Sequence, residues 1–241
     1  PVPPGLKWDL WLGPASWRPY HPAYVPAMWR GWLDFGTGAL GDMGCHILDP
    51  SFWALKLGSP TWVEANTTHT KEDIADETYP VASIIRFHFP ERDGMPPVKL
   101  TWFDGGMLPP RPEELEPERN LGGNGEILIG SKGKIMHGSH GASGVRIIPE
   151  TKMKAYERPE KTIERVPGHH ADWIEACKTG KPASANFEYG GPLTEMALLG
   201  VVAMRRKNRR LYWDAETMTI TNDEIANALI RPEFREGWEL G

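Results

Sequence analysis

Residues 127–137, ILIGSKGKIMH, hold two short runs of strand-favouring residues on either side of Ser131-Lys132-Gly133. A short turn between two such runs predicts a β-hairpin. Consecutive strands joined by short connections favour antiparallel pairing. Further strands are predicted around this hairpin, so that the full set is 61–69, 81–89, 97–103, 126–130, 133–137, 144–149, and the closing segments LYWD and TMTIT.

Helices are predicted before and after these strands in the sequence. The first runs from Gly38 to Leu57 and stops at Gly58, with a kink or break at Pro50, which lacks a backbone donor. Two more are predicted at 169–178 and at 192–206. This order predicts an α+β fold, in which helices cover one face of a broad, open and mainly antiparallel sheet. Between the strands, the Pro-, Glu- and Gly-rich stretch 105–125 is expected to be an exposed excursion.

Composition narrows the class of protein. The 241 residues are 40% hydrophobic and 24% charged with a net charge of −5, which is typical of a globular domain and argues against a nucleic-acid partner. No apolar run is long enough to span a membrane. Cys45 and Cys177 lie far apart and belong to no C-x-x-C pair, so neither a disulfide framework nor a metal site is expected. We expect residues 1–35, rich in Trp, Tyr and Pro, to be an extended arm packed on a domain of residues 36–241.

Three chemically active side chains recur at helical spacing in GALGDMGCHILDP, residues 38–50. Asp42, His46 and Asp49 are four and seven residues apart, which places them on one stripe of a helix. A histidine held near carboxylates is a proton carrier near neutral pH. Trp53 continues the stripe and could close one end of a pocket. An acidic first turn with one satisfied histidine is the alternative interpretation.

Two other features could add contacts to such a site. His169-His170 opens a predicted helix, where a cap on the helix is the simpler interpretation. Five of the eleven tryptophans lie in the first 35 residues, and aromatic faces suit flat sugar rings. Beside them, Arg30 could bind hydroxyls or a carboxylate. The glycine-rich stretch 138–144 does not fit the G-x-S-x-G pattern of serine hydrolases and is interpreted as turns.

Gly36-Thr-Gly38-Ala-Leu-Gly41 matches the G-x-G-x-x-G pattern of dinucleotide-binding loops. The segment before it is not a continuous aliphatic strand, and Asp42 would stand where the pyrophosphate charge must lie. We therefore expect this chain alone to bind no cofactor.

Several separated motifs resemble the Gfo/Idh/MocA (glucose–fructose oxidoreductase, inositol dehydrogenase) family, in particular a branch common in environmental bacteria. They cover nearly the whole chain: WDLWLGP at 8–14, YHPAY at 20–24, WR at 29–30, GDMGCHILD at 41–49, GHHADWIEACK at 168–178 and GPLTE at 191–195.

The resemblance implies a carboxy-terminal α+β domain with an open antiparallel sheet, preceded in the family by a Rossmann domain that carries the NAD or NADP site and a catalytic lysine. No residue here matches that lysine or the cofactor-binding glycines. The family's D-x-x-x-H pair falls on Asp42 and His46, where the histidine relays the substrate hydroxyl proton. In the family the open face of the sheet joins subunits, so the resemblance implies homo-oligomers.

From these observations we expect the substrate-binding domain of a nicotinamide-dependent oxidoreductase acting on a sugar, cyclitol or related carbinol. His46 and Asp42 are the expected catalytic residues, and Arg30, Asp49 and His170 the expected substrate contacts. Two alternatives stay open: an NAD-dependent glycosidase domain, and a non-catalytic binding or assembly module without its cofactor domain. The expected location is the bacterial cytoplasm, or the periplasm if a preceding segment carries an export signal.

Overall fold

Alternating burial along the central strands gives the main sheet one apolar face. In β2 every second side chain from Ile85 to Phe89 is fully buried, while its neighbours are partly exposed. The computed structural model describes residues 1–69 and 74–239. In that part of the chain the strands are β1 Trp62–Thr68, β2 Ala82–Phe89, β3 Val98–Phe103, β4 Gly125–Gly130, β5 Gly133–Gly138, β6 Arg146–Ile148, β7 Arg210–Asp214 and β8 Thr219–Ile220. The helices are α1 Trp8–Leu12, a 3-10 helix Met28–Gly31, α2 Gly38–Ile47, α3 Asp49–Ala54, α4 Glu150–Ala155, α5 His169–Thr179, α6 Phe187–Arg205 and α7 Glu224–Ile230.

The strands form two antiparallel sheets. The larger has the order β3-β2-β1-β7-β8, and the smaller the order β4-β5-β6. Helices α2 and α6 pack together, and α6 covers the apolar face of β1 and β2. The predicted α+β class with an open antiparallel sheet is confirmed. The prediction of one broad sheet is wrong, because β4, β5 and β6 pair only with one another.

The hairpin predicted at residues 127–137 is present as β4 and β5, with a shorter turn than predicted. Gly130 pairs with Gly133, so the loop consists of Ser131 and Lys132 alone. Gly133 therefore belongs to the ladder rather than to the turn.

The predicted helix 38–57 is two helices. The break falls at Leu48, and α3 ends at Ala54. Because Pro50 has no N–H, it fits only in the first turn of a helix, and it occupies that place in α3. The predicted break is confirmed, two residues before the proline itself.

Helix α6 begins five residues earlier than predicted, at Phe187 rather than Pro192. The Asn186 side chain accepts a hydrogen bond from the Tyr189 N–H at 3.1 Å and caps the helix there. Helix α5 ends before Gly180, within one residue of the prediction. The short helices α4 and α7 were not predicted.

The first 35 residues form a small aromatic cluster of their own. Trp8 and Tyr24 are buried with Leu12, and the Trp8 ring stacks on Trp11 at 4.8 Å. The segment contains α1 and the 3-10 helix, so it is not extended throughout. Arg235 of the carboxy-terminal tail donates to the Gly13 carbonyl at 2.9 Å and ties the tail to this cluster.

The stretch 105–125 is mostly exposed, as predicted, but it is attached to the small sheet. Within it, Leu115 is only 2% exposed. The Glu116 carboxylate accepts a hydrogen bond from Arg146 of β6 at 2.9 Å. Charge-assisted bonds of this kind, together with the Glu150 N–H, lower the pKa of Glu116 to about 2. The excursion is therefore pinned to the small sheet.

Candidate functional site

The elbow between α2 and α3 carries the stripe that the sequence singled out. Asp42 and His46 lie one turn apart on α2, and Asp49 begins α3. The side chains of Asp42 and His46 are exposed and that of Asp49 is half-buried, whereas Ile47 and Leu48 between them are buried in the core. The helix thus anchors its apolar side under the sheet and presents polar groups to solvent.

Arg30 lies beside this stripe. Its Nε donates to Asp42 Oδ1 at 3.1 Å, and its guanidinium lies over the Trp29 ring at 4.7 Å. The pair is about half exposed on both sides, so its contribution to stability is about 0–1 kcal/mol. Within the described residues no hydrogen bond joins Asp42 to His46. Asp42 can therefore act on His46 through its charge and not through a direct bond.

A second imidazole, which sequence reasoning missed, meets His46. The ring of His140, from the loop between β5 and β6, lies 4.6 Å from the His46 ring with the planes tilted by 30°. Sequence analysis interpreted the stretch 138–144 as turns, and no periodicity relates it to α2. A histidine in a loop of glycine and small residues was the one available hint.

Asp49 is held by helix α6. Its Oδ1 accepts a short hydrogen bond from the Tyr189 hydroxyl. Burial, and then the Asp49 carboxylate, raise the pKa of Tyr189, so the phenol keeps its proton as a donor. Burial and Asp49 also raise the pKa of the nearby Cys45 thiol. Asp49 is thereby fixed in orientation, with its second oxygen left for another donor.

His170 lies at the start of α5, a helix with no buried residue. Its ring lies 3.9 Å from that of His169, with the two planes tilted. Within the described residues no hydrogen bond or ring contact connects His170 to the Asp42–His46 stripe. The structure therefore pairs Arg30 with Asp42 one helical turn from His46, while Asp49 contacts Tyr189 and His170 lies apart from them.

Trp53 borders a shallow groove of about 300 Å³ between α3 and the start of α6. The groove is mostly apolar, with Lys56 and Glu188 at its rim. Trp53 is 56% exposed, so one face of its ring is free. Tyr189 lines the same groove and links it to Asp49.

A buried acid–base pair lies just behind the elbow. Glu126 of β4 and His137 of β5 are 3.0 Å apart, with side chains 13% and 2% exposed. His137 Nδ1–H donates to the Gly138 carbonyl at 2.7 Å, so Nε2 faces the carboxyl group. Burial raises the pKa of Glu126, while hydrogen bonds with Ser51 and His137 oppose that shift. Through Ser51 the small sheet contacts α3.

The glycines of the G-x-G-x-x-G match do not form a phosphate cradle. A Cβ at Gly36 would lie 2.4 Å from the Arg30 backbone, and one at Gly38 would lie 2.7 Å from the Tyr79 ring. The chain's own atoms thus fill the space that a pyrophosphate would need. The segment before α2 is a 3-10 helix rather than a buried strand. These residues do not fit a dinucleotide.

Within residues 1–69 and 74–239, no group of three or more His, Cys, Asp or Glu side chains is placed to hold a metal ion. None of the described helices is both long and apolar enough to cross a membrane.

The chain matches one family model over residues 1–89 and 115–240, which is most of its length. That model describes the C-terminal alpha/beta domain of an oxidoreductase family. No curated protein matches the chain. The open antiparallel sheet with its covering helices agrees with that description. The chain therefore belongs to the Gfo/Idh/MocA oxidoreductase family and represents its C-terminal alpha/beta domain.

Proposed function

We propose that this chain is the substrate-binding domain of a nicotinamide-dependent oxidoreductase acting on a sugar, cyclitol or related carbinol. The observation that carries the proposal is the exposed His46 imidazole, one helical turn from the Arg30–Asp42 pair. These groups offer a base, a carboxylate and a cation close together, which suits a polyhydroxylated substrate. Asp49 adds a second carboxylate three residues after His46.

His46 accepts the proton of the carbinol hydroxyl as the carbon is oxidised. The Asp42 carboxylate, one turn away, stabilises the imidazolium that results. Arg30 and the free oxygen of Asp49 bind neighbouring hydroxyl groups. His170 is a further proposed hydroxyl contact.

A bound nicotinamide supplies the hydride acceptor for this chemistry. The G-x-G-x-x-G match at residues 36–41 does not fit a pyrophosphate. We propose that a separate amino-terminal domain of the same enzyme binds NAD or NADP.

The test is the His46→Ala variant of the full-length enzyme, assayed on a panel of sugars and cyclitols with NAD⁺ and NADP⁺. Turnover is expected to fall about 10²–10⁴-fold, because a positioned general base is lost. His69→Ala is the matched control: His69 is also a partly exposed histidine, but it directly follows β1, outside α2 and α3. Its turnover is expected to stay within about twofold of the parent.

Unchanged turnover in His46→Ala would refute the role of His46. Cleavage of a glycoside without net cofactor reduction would identify the glycosidase alternative. A full-length protein that binds sugars but reduces no cofactor would support the non-catalytic module instead.

We also propose that the open face of the five-stranded sheet joins copies of this chain into a homo-oligomer. Trp62 lies there between the Arg210 guanidinium at 4.0 Å and the His88 ring at 5.4 Å. Arg210 also pairs with Glu64 at 3.0 Å, and Tyr212 is 46% exposed. Planar aromatic and arginine groups of this kind are enriched at protein interfaces.

Sedimentation of the chain tests this surface. The parent is expected to be larger than a monomer, and Tyr212→Glu to dissociate it, because a carboxylate would be buried without a partner. Ile225→Glu, at an exposed position on α7, is the control. A monomeric parent chain would contradict the proposal.

The two cysteines form no disulfide. Since free thiols persist in reducing compartments, we propose a cytoplasmic location in a bacterium.

A further inference from the structure

One side chain in the loop between β5 and β6 contacts α2 close to the elbow between α2 and α3. The loop after β5 turns back at Gly138 and brings His140 against His46, with ring centroids 4.6 Å apart. His140 is exposed to solvent on its other side. No burial of apolar surface explains why this loop reaches α2.

The backbone of the loop is unusual for a histidine. His140 has φ 53°, in the left-handed region, and Ala142 follows with φ 56°. A non-glycine residue in this region carries about 1–2 kcal/mol of strain, which the surrounding structure must sustain. Residues held in such conformations cluster at functional sites.

Hydrogen bonds within the loop hold this conformation. The Gly138 N–H donates to the Ser143 carbonyl at 2.7 Å, and the Ser143 hydroxyl donates to the Ser139 carbonyl at 2.9 Å. The Ser139 hydroxyl lies 2.7 Å from His140 Nδ1. The ring of His140 is thus fixed at one nitrogen, while Nε2 is left free.

The strand that leads into the loop is fixed at its end. His137, three residues before His140, is buried and lies 3.0 Å from Glu126 of β4. This buried pair holds the end of β5 from which the loop starts.

We propose that His140 is a positioning residue for His46, which sets the plane of the His46 ring. This inference rests on the proposed role of His46 as the general base. The contact between the two tilted rings, whose centroids are 4.6 Å apart, restricts rotation of the His46 ring.

His140→Gly and Ala142→Gly are matched variants for the full-length enzyme. Each replaces a side chain at a left-handed position, where glycine relieves strain, so both are expected to keep or raise the melting temperature. His140→Gly is expected to lower turnover about 10-fold or more, because the base is less well oriented. Ala142→Gly is expected to leave turnover unchanged.

Two readouts separate positioning from a structural role. The loss in His140→Gly is expected in kcat rather than in KM, because the orientation of the base changes and not the binding of substrate. His140→Phe keeps a flat ring against His46, so it should recover most of the turnover.

Equal turnover in the two glycine variants would overturn the proposal, whatever the fate of His46→Ala. Imidazole proton chemical shifts of the 241-residue chain provide a readout that needs no substrate. The His46 signals are expected to move in His140→Gly and not in Ala142→Gly, because the ring current is removed. If His46→Ala retains turnover, the proposed function fails; the ring-current result then still decides whether the two rings are in contact.

Discussion

Gly200→Ala is expected to destabilise the domain even though alanine favours helices. Gly200 lies inside α6 where the helix crosses α2 and β2. A Cβ added there would lie 2.3 Å from Leu40 Cδ2 and 2.9 Å from Phe87 Cζ. Leu40 and Phe87 are both fully buried, so neither side chain can move without disturbing the core.

The magnitude follows from two opposing effects. Replacing glycine by alanine in a helix contributes about 0.5–1 kcal/mol of stability. Forcing a methyl group into a filled core costs about 1–3 kcal/mol. The overlap at 2.3 Å places Gly200 in the upper part of that range, so the net loss is about 1–2 kcal/mol. For a chain of this length the melting temperature should fall by about 2–8 °C.

Gly190→Ala is the control within the same helix. No atom lies within 4 Å of a Cβ added at Gly190, so the helix propensity acts alone. We expect this variant to gain about 0.5–1 kcal/mol. Urea unfolding followed by tryptophan fluorescence measures both variants. Equal changes in the two variants would refute the claim that close approach at Gly200 limits the packing of α6.

Two further variants test the buried and the pinned carboxylates by their pH dependence. Since burial raises the pKa of Glu126, the folded protein loses stability as pH rises from about 4.5 through that raised value. Glu126→Gln should therefore be more stable relative to the parent at pH 7 than at pH 4. The same difference in urea midpoint between variant and parent at every pH would contradict this. The pKa of Glu116 is lowered to about 2 by Arg146, so its contribution is present above about pH 4.5 and disappears as pH falls toward 2. Glu116→Gln should unfold at lower urea than the parent at neutral pH and at the same urea near pH 2; a deficit that persists in acid would show that the bond to Arg146 is not the cause.

Prediction from the sequence succeeded for helices and strands in which the spacing of apolar residues and the flanking glycine or proline residues indicate the same element. In β2 the alternation of apolar residues matches a sheet with one buried face, and the strand was predicted within one residue. Helix α5 was found through its glycine stop. Both signals are local, and they predict the observed elements correctly because tertiary packing does not oppose them.

Some element bounds and contacts were not predicted. Pro192 resembles a helix start, but the Asn186 side chain caps α6 so that it begins five residues earlier. Residues 105–125 are mostly exposed, as their polarity suggests, but no local pattern indicates that Arg146 holds Glu116 in place. No local pattern separates β4–β6 from the main sheet, because strand partners are chosen by the whole fold.

The same distinction applies to the candidate site. Asp42, His46 and Asp49 share one segment of chain, so their common face follows from helical geometry. Arg30 was proposed from its neighbours and lies next to Asp42. His140 comes from a different sheet, nearly a hundred residues later, and only the folded structure relates it to His46.

The pairing of β1 with β7 has a consequence for the order in which the chain folds. Glu64 pairs with Arg210 across 146 residues of sequence, whereas β1, β2 and β3 are near neighbours along the chain. Closing a loop of that length costs about 4–5 kcal/mol of chain entropy. During synthesis β1 therefore leaves the ribosome as an unpaired sheet edge, and it stays one until α6 and β7 have been made. For that interval the growing chain exposes a strand that can pair with another copy, and an apolar face that α6 will later cover.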